Sequence, residues 1–222
     1  MQLLSLNVGL PRDVRYLEET ISTAIFKEPV EGRVSVGSLG LEGDGQADLT
    51  VHGGRDKALY AYSIENYEFW RRELGRDDLD PGQFGENLTV SGMTEDVVSI
   101  GERFRIGTAL VEVTQPRSPC FKLALKMNST TFNKQFLATC RVGFYLRVLE
   151  EGEMGAGDTI NRVEQSQEQM PQEKMTVAEI CDLLYHDRKN LVDARRAVSI
   201  KALAASWRKP FEQRLEKLAN DV

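Results

Sequence analysis

A chain of 222 residues that is 41% hydrophobic and 28% charged can bury a core of ordinary size, which excludes wholesale disorder. That length fits one large domain, or one of about 160 residues with a small appendage, and leaves little room for two substantial domains. A net charge of -6 argues against a protein that coats nucleic acid, because that affinity rests on phosphates neutralised by clustered Lys and Arg; small ligands or protein partners are favoured instead.

The chain begins MQLLSLNVG, with neither a basic n-region nor a small-residue cleavage site, and no apolar run approaches the roughly 18 residues of a membrane span. The expectation is a cytoplasmic protein without membrane contact. Cys120, Cys140 and Cys181 are an odd, widely spaced set with no CxxC, so neither a disulfide framework nor a four-ligand zinc site can be read from them. His52 and His186 are few and far apart in the chain. Any metal centre is therefore expected to take most of its ligands from a group that is not protein.

In chain order, residues 1–164 punctuate short β-branched runs with glycine, as a compact and mainly β domain with some helix does. Strands are predicted over residues 33–36, 88–90, 97–100, 104–106, 109–114 and 142–149, the last with Val142, Phe144, Leu146 and Val148 alternating onto one face. A helix is predicted from a Ser63 cap to Leu74, with Ile64, Tyr67 and Trp70 along one side. Many strands and few helices predict a barrel or a strongly coiled mixed sheet, not a doubly wound parallel sheet.

Residues 165–174 are polar, contain Pro171 and are predicted as a linker. Residues 175–222 then read as three short helices. Thr176 and Glu179 form a capping-box pattern ahead of Val177, Ile180, Leu183 and Leu184; Asn190 starts a second helix; Pro210 is placed in the first turn of a third that carries Phe211, Leu215 and Leu218. The three are expected to form a small bundle or to lean on the first domain.

Two segments carry most of the chemistry. GLEGDGQADLTVHGGRDKA, residues 40–58, packs five glycines with Asp44, Asp48, His52, Arg55, Asp56 and Lys57. It lacks the Gly-Lys-Ser/Thr of a Walker loop and the strand-GxGxxG-helix context of a dinucleotide fold. A structural glycine-rich turn and an anion site both fit it: Gly53 and Gly54 open the backbone to a ligand, and Arg55 and Lys57 can neutralise an oxyanion. TQPRSPCFKL, residues 114–123, follows a predicted strand, and Pro116 and Pro119 stiffen the turn that presents Arg117, Ser118 and Cys120. Cysteine is the softest ligand a protein offers, and Arg117 and Lys122 favour its thiolate; a buried cysteine at a strand end is the alternative. FGENLTVSGMTE, residues 84–95, sets Glu86 and Asn87 in a glycine turn, able to read a heterocycle edge or to bond their own backbone. TAIFKEPV, residues 23–30, offers Thr23 and Lys27, the latter an anion contact or a surface charge.

These stretches, in this order and together with VGFYLRVLEEGEMGAGD at residues 142–158, resemble the MOSC family, named for the C-terminal domain of molybdenum-cofactor sulfurase, and most closely its YiiM branch. The helical tail resembles the three-helix appendage of that branch. The resemblance implies a MOSC-type β-barrel-like domain holding a molybdopterin-type molybdenum cofactor, with Cys120 as the metal ligand and catalytic centre. Ser118 and Asn87 fall where relatives contact the cofactor, and Thr23, Lys27, His52, Arg55, Lys57, Glu86 and Arg117 complete the expected contacts. One departure is visible: Arg55 stands where proline is usual.

Relatives, including the mitochondrial amidoxime-reducing component, remove the N–O oxygen of N-hydroxylated compounds. The resemblance therefore implies a reductase of such small molecules, hydroxylaminopurines among them. The chain has no cysteine cluster for an iron–sulfur centre, no dinucleotide fingerprint and no haem motif, so its electrons are expected from a separate flavin or iron–sulfur protein. The second reading is a carrier that holds the cofactor or a sulfur cargo on Cys120 without catalysing reduction.

Overall fold

The computed structural model describes residues 1–16, 18–45, 53–164 and 173–220, without the side chains of 218–220. His52 and Asp48, most of the expected linker and the Leu218 side chain lie outside the described residues.

Eight strands form one sheet. In chain order they are β1 (Gln2–Val8), then β4 (Glu28–Pro29), which follows the hairpin of β2 (Arg12–Tyr16) and β3 (Glu19–Thr23). After β5 (Arg33–Gly37), β6 (Gly40–Leu41) and a short 3-10 turn, Arg55–Lys57, come β7 (Leu59–Ser63), helix α1 (Ile64–Leu74), β8 (Leu88–Ser91), β9 (Arg103–Ile106) and β10 (Ala109–Pro116). Helices α2 (Phe121–Lys126) and α3 (Phe132–Ala138) precede β11 (Phe144–Glu150), β12 (Gly152–Gly155) and β13 (Ile160–Arg162).

The sheet order is β13-β9-β10-β11-β7-β8-β1-β4, and β12-β5-β6 form a smaller sheet. All these pairs are antiparallel except β7 and β8, whose crossover is α1. The sheet is mixed, as expected, but the barrel-like closure is not established: no continuous ladder among the described residues closes it. Strand β1, next to one edge, nevertheless meets the residue before the opposite edge strand β13 at one bridge, Gln2 to Thr159, flanked by bonds from the Leu3 amide to the Asp158 carbonyl and from the Gly157 amide to the Leu3 carbonyl.

The alternation expected in β11 is present: Phe144, Leu146 and Val148 are buried while Tyr145 and Arg147 are partly exposed. The strand expected at 97–100 is instead a turn. Val98 and Ile100 are buried as a strand's inner face would be, but the amides of Val97 and Val98 bond to the Thr94 carbonyl and that of Ile100 to the Met175 carbonyl. Burial without a ladder gave the same sequence pattern. Ser63 takes the cap position of α1, yet its hydroxyl bonds to the Glu65 carboxylate and not to a helix amide.

The tail forms α4 (Val177–Tyr185), α5 (Leu191–Ser199) and α6 (Ala205–Asn220). Both bonds of the Thr176–Glu179 capping box are made, and the Asn190 side chain accepts from the Asp193 amide. Helix α6 starts earlier than the proline suggests, so Pro210 lies inside it and not in its first turn.

These helices share their core with the sheet. Ile180, Ala194, Trp207 and Phe211 belong to the same buried cluster as Leu59, Leu88, Phe104 and Phe144. The Ala204 amide donates to the Thr114 carbonyl, and Arg147 donates to the Ala202 carbonyl, so the tail covers β10, which is buried along both faces. A second, aromatic cluster joins Tyr62, Tyr67, Trp70, Phe84, Phe132 and Phe136 beneath α1 and α3. Phe211→Ala should cost about 3–5 kcal/mol in urea unfolding, the price of emptying a core position; a cost below about 1 kcal/mol would show that the tail folds apart from the sheet.

Candidate functional site

A trough opens at the end of β10. Residues 117–120 form one wall, the 23–27 segment and Asp44–Gly45 another, and Tyr60 and Tyr145 line it between them. It gathers Thr23, Lys27, Lys57, Asn87, Arg117, Ser118 and Cys120 of the residues expected from sequence. Arg55 and Glu86 do not line it, and His52 is outside the described residues.

Arg117 is buried at the trough's base. Its guanidinium donates to the Phe84 carbonyl and lies 4.5 Å from the Tyr60 ring centroid, while its amide donates to the Gly143 carbonyl at 3.1 Å. A guanidinium does not lose its proton in a protein, so a fixed positive charge faces Tyr60, Tyr145 and Cys120. Tyr60 is fixed in turn, donating its hydroxyl to the Val142 carbonyl at 2.9 Å. Cys120 is half-buried, and Asn133 donates to its carbonyl at 2.8 Å. Ser118 shares a 2.9 Å hydrogen bond with the hydroxyl of Tyr185, so the tail reaches the rim of the trough.

The opposite wall is a buried ion pair. Lys27 donates to Asp44, whose carboxylate also accepts from the Gly9 amide at 2.9 Å and from the Asn87 amide group at 2.8 Å. Burial draws the Lys27 ammonium below the usual lysine range, and Asp44 opposes that shift. Asn87 also donates to the Asn7 carbonyl and accepts from the Tyr60 amide at 3.1 Å. Its polar atoms therefore hold Asp44 and β7 in place as well as facing the trough. Thr23 is fully buried and its hydroxyl accepts from the Ile25 amide.

Glu86 has a different task. Its carboxylate accepts from Tyr67, from the amides of Gly82 and Phe84, and from Thr89, so it organises the turn that delivers the Phe84 carbonyl to Arg117. Arg55 is exposed on the 3-10 turn, with its neighbour Asp56 paired to Arg147 at 3.0 Å. Sequence reasoning missed Asp44 and Tyr145 as trough residues, and gave Lys122 only the role of favouring the thiolate. Nothing in local spacing brings residue 44 against residue 27.

Among the described residues four cations, Lys27, Lys57, Arg117 and Lys122, thus meet a single carboxylate, in a chain whose net charge is -6. Such a concentration suits an anionic ligand, with a thiol available at one end.

A model of the MOSC domain matches residues 48–161, and a model of the YiiM-like, 3-alpha helix domain matches residues 175–218. YflK of Bacillus subtilis (strain 168) is 41% identical over 97% of this chain and 95% of its own length. The sheet-rich domain and its cationic, cysteine-bearing trough belong to a member of the MOSC family. Its whole architecture, tail included, is similar to the crystal structure of YiiM from Geobacillus stearothermophilus, with a TM-score of 0.79 and 37% identity over 96% of this chain and 98% of that one. A protein of Gibberella moniliformis named reductase is 37% identical over 65% of this chain, which spans only 26% of that longer protein.

Breaking one half of a buried ion pair leaves the other charge uncompensated. Asp44→Ala should therefore cost roughly 3–5 kcal/mol of stability, and Lys27→Ala in the same chain should recover part of it. Denaturant titration of the two single variants and the double variant measures the coupling; strictly additive losses would show that the pair is not coupled.

Proposed function

We propose that the protein is a molybdenum-cofactor-dependent reductase of small N-hydroxylated compounds that receives electrons from a separate flavin or iron–sulfur protein. The observation that carries this reading is the trough itself, where among the described residues four cations converge on one carboxylate and Cys120 lies beside the fixed charge of Arg117. Membership of the MOSC family and likeness to a protein named reductase support it.

The donor set fits a molybdopterin-type cofactor. Cys120 would be the protein's ligand to the metal, a soft thiolate favoured by the neighbouring guanidinium. Lys57 and Lys122, with Arg117 beneath, would neutralise the phosphate of the pterin by charge-assisted contacts. Lys27 is held by Asp44 and adds its charge to that wall. Bound there, the cofactor would supply a two-electron couple able to accept the oxygen of an N–OH group, so that substrate, two electrons and two protons give the amine and water. The chain's own part is to bind and orient. Arg117 sets a fixed positive charge beside Cys120, Tyr60 and Tyr145 wall the trough with rings, and the proline-stiffened 116–119 turn holds Cys120 at a set position. None of these tasks needs a nucleophilic triad.

Cys120→Ala should lower molybdenum and pterin content at least tenfold and bring reduction of hydroxylaminopurines or amidoximes, driven by a chemical electron donor, to background. Wild-type metal content in that variant would overturn the reading. A protein that holds the cofactor but never turns over with any N-hydroxylated compound would instead be a carrier.

Lys57→Ala and Lys122→Ala test the phosphate contacts without disturbing the buried Lys27–Asp44 pair. Each should loosen the cofactor, more so in the double variant and in high salt, while activity per bound molybdenum stays close to wild type. Retention of full cofactor by the double variant at every salt concentration would remove both lysines from the clamp.

A further inference from the structure

The three side chains Cys140, Asp182 and His186 stand outside the trough, and none is used by the chemistry above. The fold brings them together from two distant segments. Cys140 lies in the turn between α3 and β11, whereas Asp182 is in the last turn of α4 and His186 immediately follows it. A sulfur, a carboxylate oxygen and a ring nitrogen from these three lie within 4.8 Å of one another.

Four features distinguish this cluster from a chance meeting of polar groups. Asp182 and His186 are one helical turn apart, with the His186 amide donating to the Asp182 carbonyl at 2.8 Å, so both side chains leave the helix on one side. The His186 ring is anchored: Nε2 donates to the Leu137 carbonyl oxygen at 3.0 Å, and the Cys140 sulfur lies 3.8 Å from the same oxygen, so one carbonyl gathers ring and thiol. A backbone carbonyl that accepts from one ring nitrogen is a common partner of a metal-ligating histidine. Among the described residues the Asp182 carboxylate enters no hydrogen bond or ion pair with another side chain. Cys140 is held at a φ of 50°, a left-handed conformation that a cysteine rarely adopts, with its sulfur in contact with His186 and with the buried Cys181 thiol.

We infer that Cys140, Asp182 and His186 form a binding site for a borderline-soft divalent cation, Zn2+ by preference, with a fourth position open to solvent. Thiolate, imidazole and carboxylate are a zinc donor set. Around a tetrahedral ion with Zn–S of about 2.3 Å and Zn–N of about 2.0 Å, ligand atoms sit ~3.5 Å apart, so the triad closes by side-chain rotation alone. Asp182 and His186 are exposed and give the ion a path in, while Cys181 is buried behind Cys140 and supports its sulfur without ligating. Such an ion joins α4 to the α3–β11 turn, one residue from the Tyr185 that bonds Ser118 at the trough.

The site is tested with Co2+, then Zn2+, added to chelator-treated and fully reduced protein. One equivalent of Co2+ should produce the near-ultraviolet absorption of a cobalt–thiolate bond, and Zn2+ should displace it. Cys140→Ser should abolish the band, and Asp182→Ala and His186→Ala should each weaken Co2+ binding at least tenfold. Cys120→Ala and Cys181→Ser should leave it in place, which separates this site from the trough and makes the outcome independent of the proposed reductase activity. Absence of the band at one equivalent overturns the site, as does its persistence in Cys140→Ser or its loss in Cys120→Ala. Loss in Cys181→Ser with survival in His186→Ala would assign the two thiols to one another and overturn it equally. Circular dichroism of each variant checks that a lost band is not a lost fold.

Discussion

A guanidinium that cannot discharge, buried at the end of β10, is the constraint around which the site is arranged. Arg117 requires partners wherever the chain places it, because a buried charge without them is strongly unfavourable. It finds the Phe84 carbonyl and the face of Tyr60, and each comes from a different part of the chain. Satisfying one charge therefore fixes the turn after α1, strand β7 and the segment that carries Cys120 in a common frame. The carboxylate of Glu86 is the counterpart on the far side of that turn, since its four acceptor contacts hold the loop whose carbonyl Arg117 needs.

The trough's electrostatics follow from the same economy. A chain with more acidic than basic groups concentrates four cations in one place, with Asp44 the one carboxylate among them in the described residues. Asp44 is bound by Lys27, Asn87 and the Gly9 amide, so its charge is largely engaged within the wall. Preorganisation of this kind lets an anion bind without rearranging side chains.

Much of this was legible in the residues. The stiff QPRSPC turn, the capping box of α4 and the alternation of β11 are local features, and local features are written in adjacent letters. Four things were not. Glu86 stands one position from a trough residue, and only the fold shows which of the two faces inward. Arg55 sits in a promising glycine-rich run but on the outer side of a 3-10 turn. Residues 97–100 carry a strand's burial but only one antiparallel bridge, Ser99 to Thr176, because their backbone partner is the short segment just before α4, distant in sequence. Cys140 and His186 looked too scattered to matter, since distance along the chain says little once a helical tail folds back over the sheet.

That folding back has a structural corollary at Tyr185. Its hydroxyl completes a hydrogen bond to Ser118, two residues before Cys120, so the appendage reaches the lip of the trough through that serine. The two matched segments of this chain are therefore not interchangeable modules. A tail exchanged between relatives carries its own residue to that lip and changes the shape and polarity of the opening while every residue of the sheet-rich domain stays the same. Diversity in what enters the trough can arise from helices that a comparison of the sheet-rich domains alone would leave out.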